Sequence, residues 1–193
     1  EKPVTTLAIF VNDMDAVYPV RIDPTFSDEN WISMGGFLGA YGNVYATAVD
    51  GAGNLFIGGD FDLVGNTKAD HIAKWNGSNW SALGAGMNYT VAALAISGSD
   101  LYAGGSFSSA GGVAANRIAK WNGTNWSALG DGVSGLEFPD LSSVDALVVS
   151  DRDLFVGGRF KTAGGVAATN IAKWNGTNWS ALGLGIGGTD YSY

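Results

Sequence analysis

Ile118-Ala-Lys-Trp-Asn-Gly-Thr-Asn-Trp-Ser-Ala-Leu-Gly130 recurs unchanged as Ile171 to Gly183 and, with Ser78 in place of Thr124, as Ile72 to Gly84. The copies start 46 residues (72 to 118) and 53 residues (118 to 171) apart. Upstream of each lies a second shared block: Leu55-Phe-Ile-Gly-Gly-Asp-Phe61, Leu101-Tyr-Ala-Gly-Gly-Ser-Phe107 and Leu154-Phe-Val-Gly-Gly-Arg-Phe160. Further upstream stand the apolar runs Val44 to Val49, Val91 to Ile96 and Val144 to Val149. Self-similarity at such a period marks structural units stacked on one another.

Each unit reads as four short strands. In the middle copy these are strand a (91–97), b (101–107), c (117–121) and d (125–129). Strand a is nearly all apolar, as for a strand buried on both faces. Asp50-Gly-Ala-Gly-Asn54 and Gly98-Ser-Asp100 read as a–b hairpin turns, and Trp121-Asn-Gly-Thr-Asn-Trp126 as a tight c–d turn in which Asn-Gly supplies positive φ. The Gly-Gly pair closing strand b predicts a bulge or a close approach between units. Ser108-Ser-Ala-Gly-Gly-Val-Ala-Ala115 reads as a b–c loop, since paired glycines oppose a helix.

A decayed fourth copy opens the chain. Val4-Thr-Thr-Leu-Ala-Ile9 mirrors Val91 to Ile96, and Asn30-Trp-Ile-Ser-Met-Gly35 mirrors Asn79 to Gly84. Four strands per unit of roughly 40–50 residues is the arithmetic of a propeller blade. The expectation is an all-β fold of about sixteen antiparallel strands in four β-propeller-type blades, near 4–36, 44–86, 91–132 and 144–186. The domains divide as a degenerate first blade over 1–43, blade 2 over 44–90, blade 3 with a long d–a loop over 91–143, and blade 4 over 144–193. Strand a should lie innermost and strand d outermost. The chain starts at Glu1 rather than Met and stops after a strand d, so it reads as processed or trimmed, and as part of a larger propeller or array.

The repeats resemble kelch-like propeller blades. The doublets Gly58-Gly59, Gly104-Gly105 and Gly157-Gly158 match that family's strand-end glycines, and Trp75/Trp80, Trp121/Trp126 and Trp174/Trp179 match its aromatic pair. A Trp stands where kelch usually has Tyr, and the turn is slightly shorter. The phrase Ala110-Gly-Gly-Val-Ala-Ala-Asn-Arg-Ile-Ala-Lys-Trp-Asn-Gly123 is similar to repeats of large bacterial surface proteins and of a fungal cortical polarity marker. The resemblance covers about 44–186 and implies a fold; propellers host many unrelated functions.

Composition excludes several classes. The chain has 193 residues, 30 of them glycine, a net charge of -8 and ten scattered Lys and Arg, so no nucleic-acid surface is expected. It has no cysteine, which removes disulfides, thiolate metal sites and thiol catalysis. No apolar run is long enough to span a membrane as a helix, and no signal peptide is evident. The acidic pairs Asp13/Asp15, Asp60/Asp62 and Asp151/Asp153 complete no calcium loop and mark no pair of catalytic carboxylates. His71, the one histidine, reads as a surface strand residue. The Trp pairs could stack sugars, but bracing and inter-blade packing explain them better. Seven Asn-x-Ser/Thr sequons occur, six of them in the c–d turns, where Asn serves turn geometry.

These readings give no catalytic, cofactor or metal residues and no enzyme. They point to an extracellular or cell-surface scaffold and protein-interaction module, bacterial by resemblance. Its partner would be another protein or further blades. The alternative is a multivalent lectin-like propeller that binds glycan. The d–a loops vary in length and carry Phe37 and Tyr41, then Tyr89, Phe138, and Tyr191 and Tyr193. Aromatic tips on a rigid scaffold are good contact residues, so these six are the candidate partner-binding positions.

Overall fold

The computed structural model describes residues 39–136 and 141–183. These are all-β, and no helix occurs among them. The first repeat holds β1 (Ala40–Val49), β2 (Leu55–Val64), β3 (Thr67–Lys68), β4 (Ile72–Trp75) and β5 (Trp80–Ala82), in an antiparallel sheet ordered β1-β2-β4-β5 with β3 on β2. The second holds β6 (Val91–Ser97), β7 (Asp100–Gly105), β8 (Ser109–Ala110), β9 (Val113–Ala114), β10 (Ile118–Trp121) and β11 (Trp126–Ala128), with β6-β7-β10-β11 as its sheet and β8-β9 as a separate hairpin. The third holds β12 (Val133–Ser134), β13 (Ser143–Ser150), β14 (Asp153–Arg159), β15 (Thr162–Ala163), β16 (Val166–Ala167), β17 (Ile171–Trp174) and β18 (Trp179–Ala181), with β13-β14-β17-β18 as its sheet. Each repeat is thus a four-stranded meander in the order a-b-c-d. The copy expected over 4–36 lies outside the described residues.

The two glycines of each doublet have separate jobs. A Cβ on Gly59, Gly105 or Gly158 would fall on the carbonyl oxygen of Asn43, Thr90 or Ser143, where strand a of the same sheet bulges between Val44/Ala46, Val91/Ala93 and Val144/Ala146. A Cβ on Gly58 would stand 2.5 Å from Val91 Cγ1 of the next sheet, and one on Gly104 would meet Val144 Cγ1 equally closely. The second glycine admits the bulge and the first admits the neighbouring sheet.

Sheets stack face to face. β6 packs on β1 and β2, and β13 on β6 and β7. Phe56, Ile72 and Leu83 of the first sheet share a core with Val91, Leu101, Phe107 and Trp126 of the second. Ile118 and Leu129 of the second share one with Val144, Leu154, Phe160 and Trp179 of the third. The indole N–H groups of Trp126 and Trp179 donate to the carbonyls of Leu83 and Leu129, one repeat back, at 2.8 and 2.7 Å. Each Trp pair is also in ring contact, at 5.3 to 5.4 Å between centroids.

Two features depart from the expected layout. The b–c segments are hairpins rather than loops, because their Gly111 and Gly164 adopt φ near +57° (58° and 56°) and let two-residue strands fold back. Strand c is entered through a left-handed residue, which is His71, Arg117 or Asn170 at φ 66°, 65° and 62°. That conformation is held from both sides. The His71 N–H donates to Phe61 O at 2.8 Å, its carbonyl accepts from Gly59 N at 3.0 Å, and the other two repeats do the same.

Candidate functional site

In an antiparallel meander the d–a linkers and b–c connections emerge at one edge, and the a–b and c–d turns at the other. The linker edge is stitched across repeats. Met87 bridges Ala110, and β12 pairs with β15, so each linker bonds to the following repeat's hairpin. Gly111 N donates to Gly86 O and Gly164 N to Gly132 O, both at 2.7 Å. The Asn88 carboxamide accepts from Ser108 N and Ser109 N at 2.9 Å and donates to Ser108 Oγ. Ser134 and Thr162 hydroxyls meet at 3.0 Å. In the first sheet Gly65 N reaches Gly39 O at 3.2 Å.

On this rim stand two of the six expected contact residues. Tyr41 opens β1 and is 74% exposed; Tyr89 follows Asn88 in the next linker and is 60% exposed. They occupy the corresponding edge of consecutive sheets. Phe37, Phe138, Tyr191 and Tyr193 lie outside the described residues. Three further exposed apolar residues share the rim: Leu141 before β13, and Val113 and Val166 at corresponding sites in the b–c hairpins. Leu141 was hidden because it is neither aromatic nor in a shared block. The signal for the valines was the Gly-Gly-Val-Ala phrase at 111–114 and 164–167, legible once that phrase is read as a hairpin tip.

The opposite edge is built of self-capping turns. Asn76, Asn122 and Asn175 each accept two backbone N–H groups through Oδ1, at 2.8 to 3.0 Å. Asp50 accepts from the Asn54 side chain at 2.7 Å and from the Asn54 and Ala52 N–H groups, and these bonds hold its carboxyl below the usual 3.8, the Asn54 side chain contributing most.

Two lysines pair with carboxylates at the a–b turns. Lys120 pairs with Asp100 at 3.0 Å and Lys173 with Asp153 at 2.8 Å. Where the first sheet has Asn54 in place of that Asp, Lys74 sits over the Phe56 ring at 5.6 Å. Burial raises the Tyr102 hydroxyl pKa, against the pull of Lys120. His71 is not a surface strand residue. Its left-handed backbone turns the side chain inward to 14% exposure, with Nδ1 3.9 Å from Asp60 Oδ1. Among the described residues no group of three or more His, Asp or Glu could hold a metal ion, and no helix is long and apolar enough to cross a membrane.

Trp126 and Trp179 are buried, so they are packing residues rather than sugar platforms. Trp75 and Trp80 are half-buried and line a shallow recess of about 150 Å³ with Asn66, Thr67, Ser78 and Asn79.

The fold and rim together define an all-β protein of repeated four-stranded antiparallel sheets, joined edge to hairpin. Comparison with models of protein families finds no match, and comparison with curated proteins finds none either.

Proposed function

We propose that this chain is a non-catalytic β-propeller-type scaffold, extracellular or on a cell surface, that binds protein partners at the linker rim. The a-b-c-d order of each sheet and the face-to-face stacking support blades of that type. The observation that carries the binding reading is the exposure of Tyr41, Tyr89 and Leu141 at the leading edge of three successive sheets. Exposed apolar residues set on a stitched backbone lose little freedom when they are covered.

The test uses envelope proteins of the producing cell as the probe. Their binding to the wild-type chain is compared with binding to the Tyr41→Ser/Tyr89→Ser variant. A loss of about 1–3 kcal/mol, roughly five- to 150-fold, with unchanged circular dichroism supports the rim. The Trp75 recess favours the second reading, a lectin-like module, because its indole stands beside amide and hydroxyl groups. Binding to a glycan array that is lost in Trp75→Ala and kept in the rim variant would replace the first reading by the second.

A further inference from the structure

The three repeats differ by one hydroxyl near the start of strand b. The residue after the shared Leu is Phe56 in the first sheet, Tyr102 in the second and Phe155 in the third. Tyr102 is half-buried and packs on the core shared with the third sheet. Its hydroxyl makes no hydrogen bond to any described residue, although a phenol in such a place ordinarily finds a partner. Burial raises its pKa, as for a hydroxyl that solvent serves poorly.

Tyr102 borders a cavity of about 220 Å³ between the second and third sheets. Leu129 and Trp174 give the cavity apolar walls, and Lys120 and Ser127 give it polar ones. Ser127 and Gly176, also at its border, are exposed, so the cavity reaches the edge that carries the a–b and c–d turns. The described segments begin and end at the other edge, the linker rim, at Gly39, Leu136, Leu141 and Gly183. The seam between the first and second sheets is furnished differently. There Phe56 is 6% exposed and Lys74 lies over its ring, so the phenol is absent and the lysine is engaged.

The chemistry of the lining selects the ligand. Lys120 is paired with Asp100 at 3.0 Å, so the site has no net charge to offer. A cation would meet Lys120 and an anion would meet Asp100, each losing hydration without a free counter-charge. A neutral ligand can use what is unspent: the Tyr102 hydroxyl, the Trp174 indole N–H, which has no partner among the described residues, and the spare donors of Lys120. The Ser127 hydroxyl makes only a long bond, 3.4 Å to Lys120 O. The indole wall asks for an apolar surface against it. A small ring with hydroxyls around its edge and C–H groups on its faces meets both demands, and apolar walls with a few polar groups are the usual make-up of a small-molecule site.

We infer that the cavity between the second and third sheets binds one neutral pyranose unit of a saccharide, with Tyr102, Lys120 and Trp174 as its contacts. This site is separate from the linker rim and from the Trp75 recess, so its failure would leave the rim reading standing.

Isothermal titration calorimetry of the chain with glucose, galactose, mannose and N-acetylglucosamine tests the site. At least one sugar should bind saturably, at one site per chain. Tyr102→Phe should weaken that binding roughly three- to tenfold, the effect of one lost hydrogen bond. Phe stands at this position in the other two sheets, so the variant should fold with unchanged circular dichroism. Ser127→Phe, at an exposed strand position, should crowd the cavity and abolish binding while the fold holds. Trp75→Ala should bind like wild type. Glucuronate should bind more weakly than glucose, because its carboxylate would lie beside Asp100. Failure of all four sugars to bind overturns the inference. So does binding that survives Tyr102→Phe and Ser127→Phe undiminished, binding lost in Trp75→Ala, or glucuronate held more tightly than glucose.

Discussion

The turn between Trp121 and Trp126 and the seam at Gly104 differ in what completes them. The turn closes on itself: Asn122 Oδ1 takes the N–H groups of Thr124 and Asn125, and Asn122 N reaches Asn125 O at 3.2 Å. Its counterparts at Asn76 and Asn175 have the same bonds. The seam needs a second sheet. Val144 must arrive from a strand some forty residues on, and at Gly157 no such valine stands among the described residues. Repetition of sequence therefore guarantees the turn in every copy but the seam only between copies. Stability in such stacked units divides into a part intrinsic to each repeat and a part held in the interfaces, and the seams should carry the larger single-residue effects.

The sharpest way to break this contrast is one substitution at two sites. Gly104→Val would drive its Cβ into Val144 within a closed core, and overpacking of that kind should cost about 3 kcal/mol. Gly157→Val, chemically the same change, should cost distinctly less, about 1 kcal/mol, because among the described residues its Cβ meets only Ala146 Cβ at 3.7 Å and Asn170 O at 4.0 Å. Urea denaturation of the two variants reads the difference. Equal losses would mean that the seam is no more demanding than the strand position at Gly157.

A smaller effect is expected at the indole bridging two repeats. Trp179→Phe removes the 2.7 Å donation to Leu129 O and some buried ring area. That carbonyl keeps the Gly132 N–H at 3.1 Å, so it is not stranded, and the loss should be about 1–2 kcal/mol. Smaller again is Asn122→Ala on an exposed turn. Water can replace the lost acceptor, and about 0.5–1 kcal/mol is expected from the denaturation midpoint. An Asn122→Ala loss larger than that of Trp179→Phe would invert the ranking on which the comparison rests.

The same division explains what could be read from sequence. Trp-Asn-Gly and Gly-Gly are local signals with local causes, so strands a to d are placed within a residue or two: 91–97, 101–107, 117–121 and 125–129 were expected, and Val91–Ser97, Asp100–Gly105, Ile118–Trp121 and Trp126–Ala128 are observed. The left-handed entry to strand c is filled by His, Arg and Asn, which share no chemistry, so the position left no mark and His71 was misplaced on the surface. The b–c hairpins are made of small residues in two-residue strands and are held by the preceding repeat's linker. No period of two can develop over such a length. On the rim, aromatic character exposed Tyr41 and Tyr89, while Leu141, Val113 and Val166 became visible only when burial was known.

The smallest effect expected is a pH dependence confined to one turn. Asp50 is held below its ordinary 3.8 chiefly because the Asn54 side-chain amide bonds its ionised form; desolvation opposes this, and the N–H groups of Asn54 and Ala52 and the charge of Lys74 add to the lowering. The folded pKa is thus the lower one, and folding favours the carboxylate. The resulting stabilisation is fully present above the unfolded pKa and is lost as pH falls through the folded one. Comparing wild type with Asp50→Ala, the stability difference should be constant near neutrality and should shrink only below about pH 4. The group is almost fully solvated, so the difference should be smaller than that of Asn122→Ala. Because the turn from Asp50 to Asn54 is completed by its own residues, this titration should be the same in Gly104→Val, measured where that variant is still folded. A midpoint that moved when the seam was damaged would show that turn and seam are coupled, which the bonding around Asp50 gives no route for.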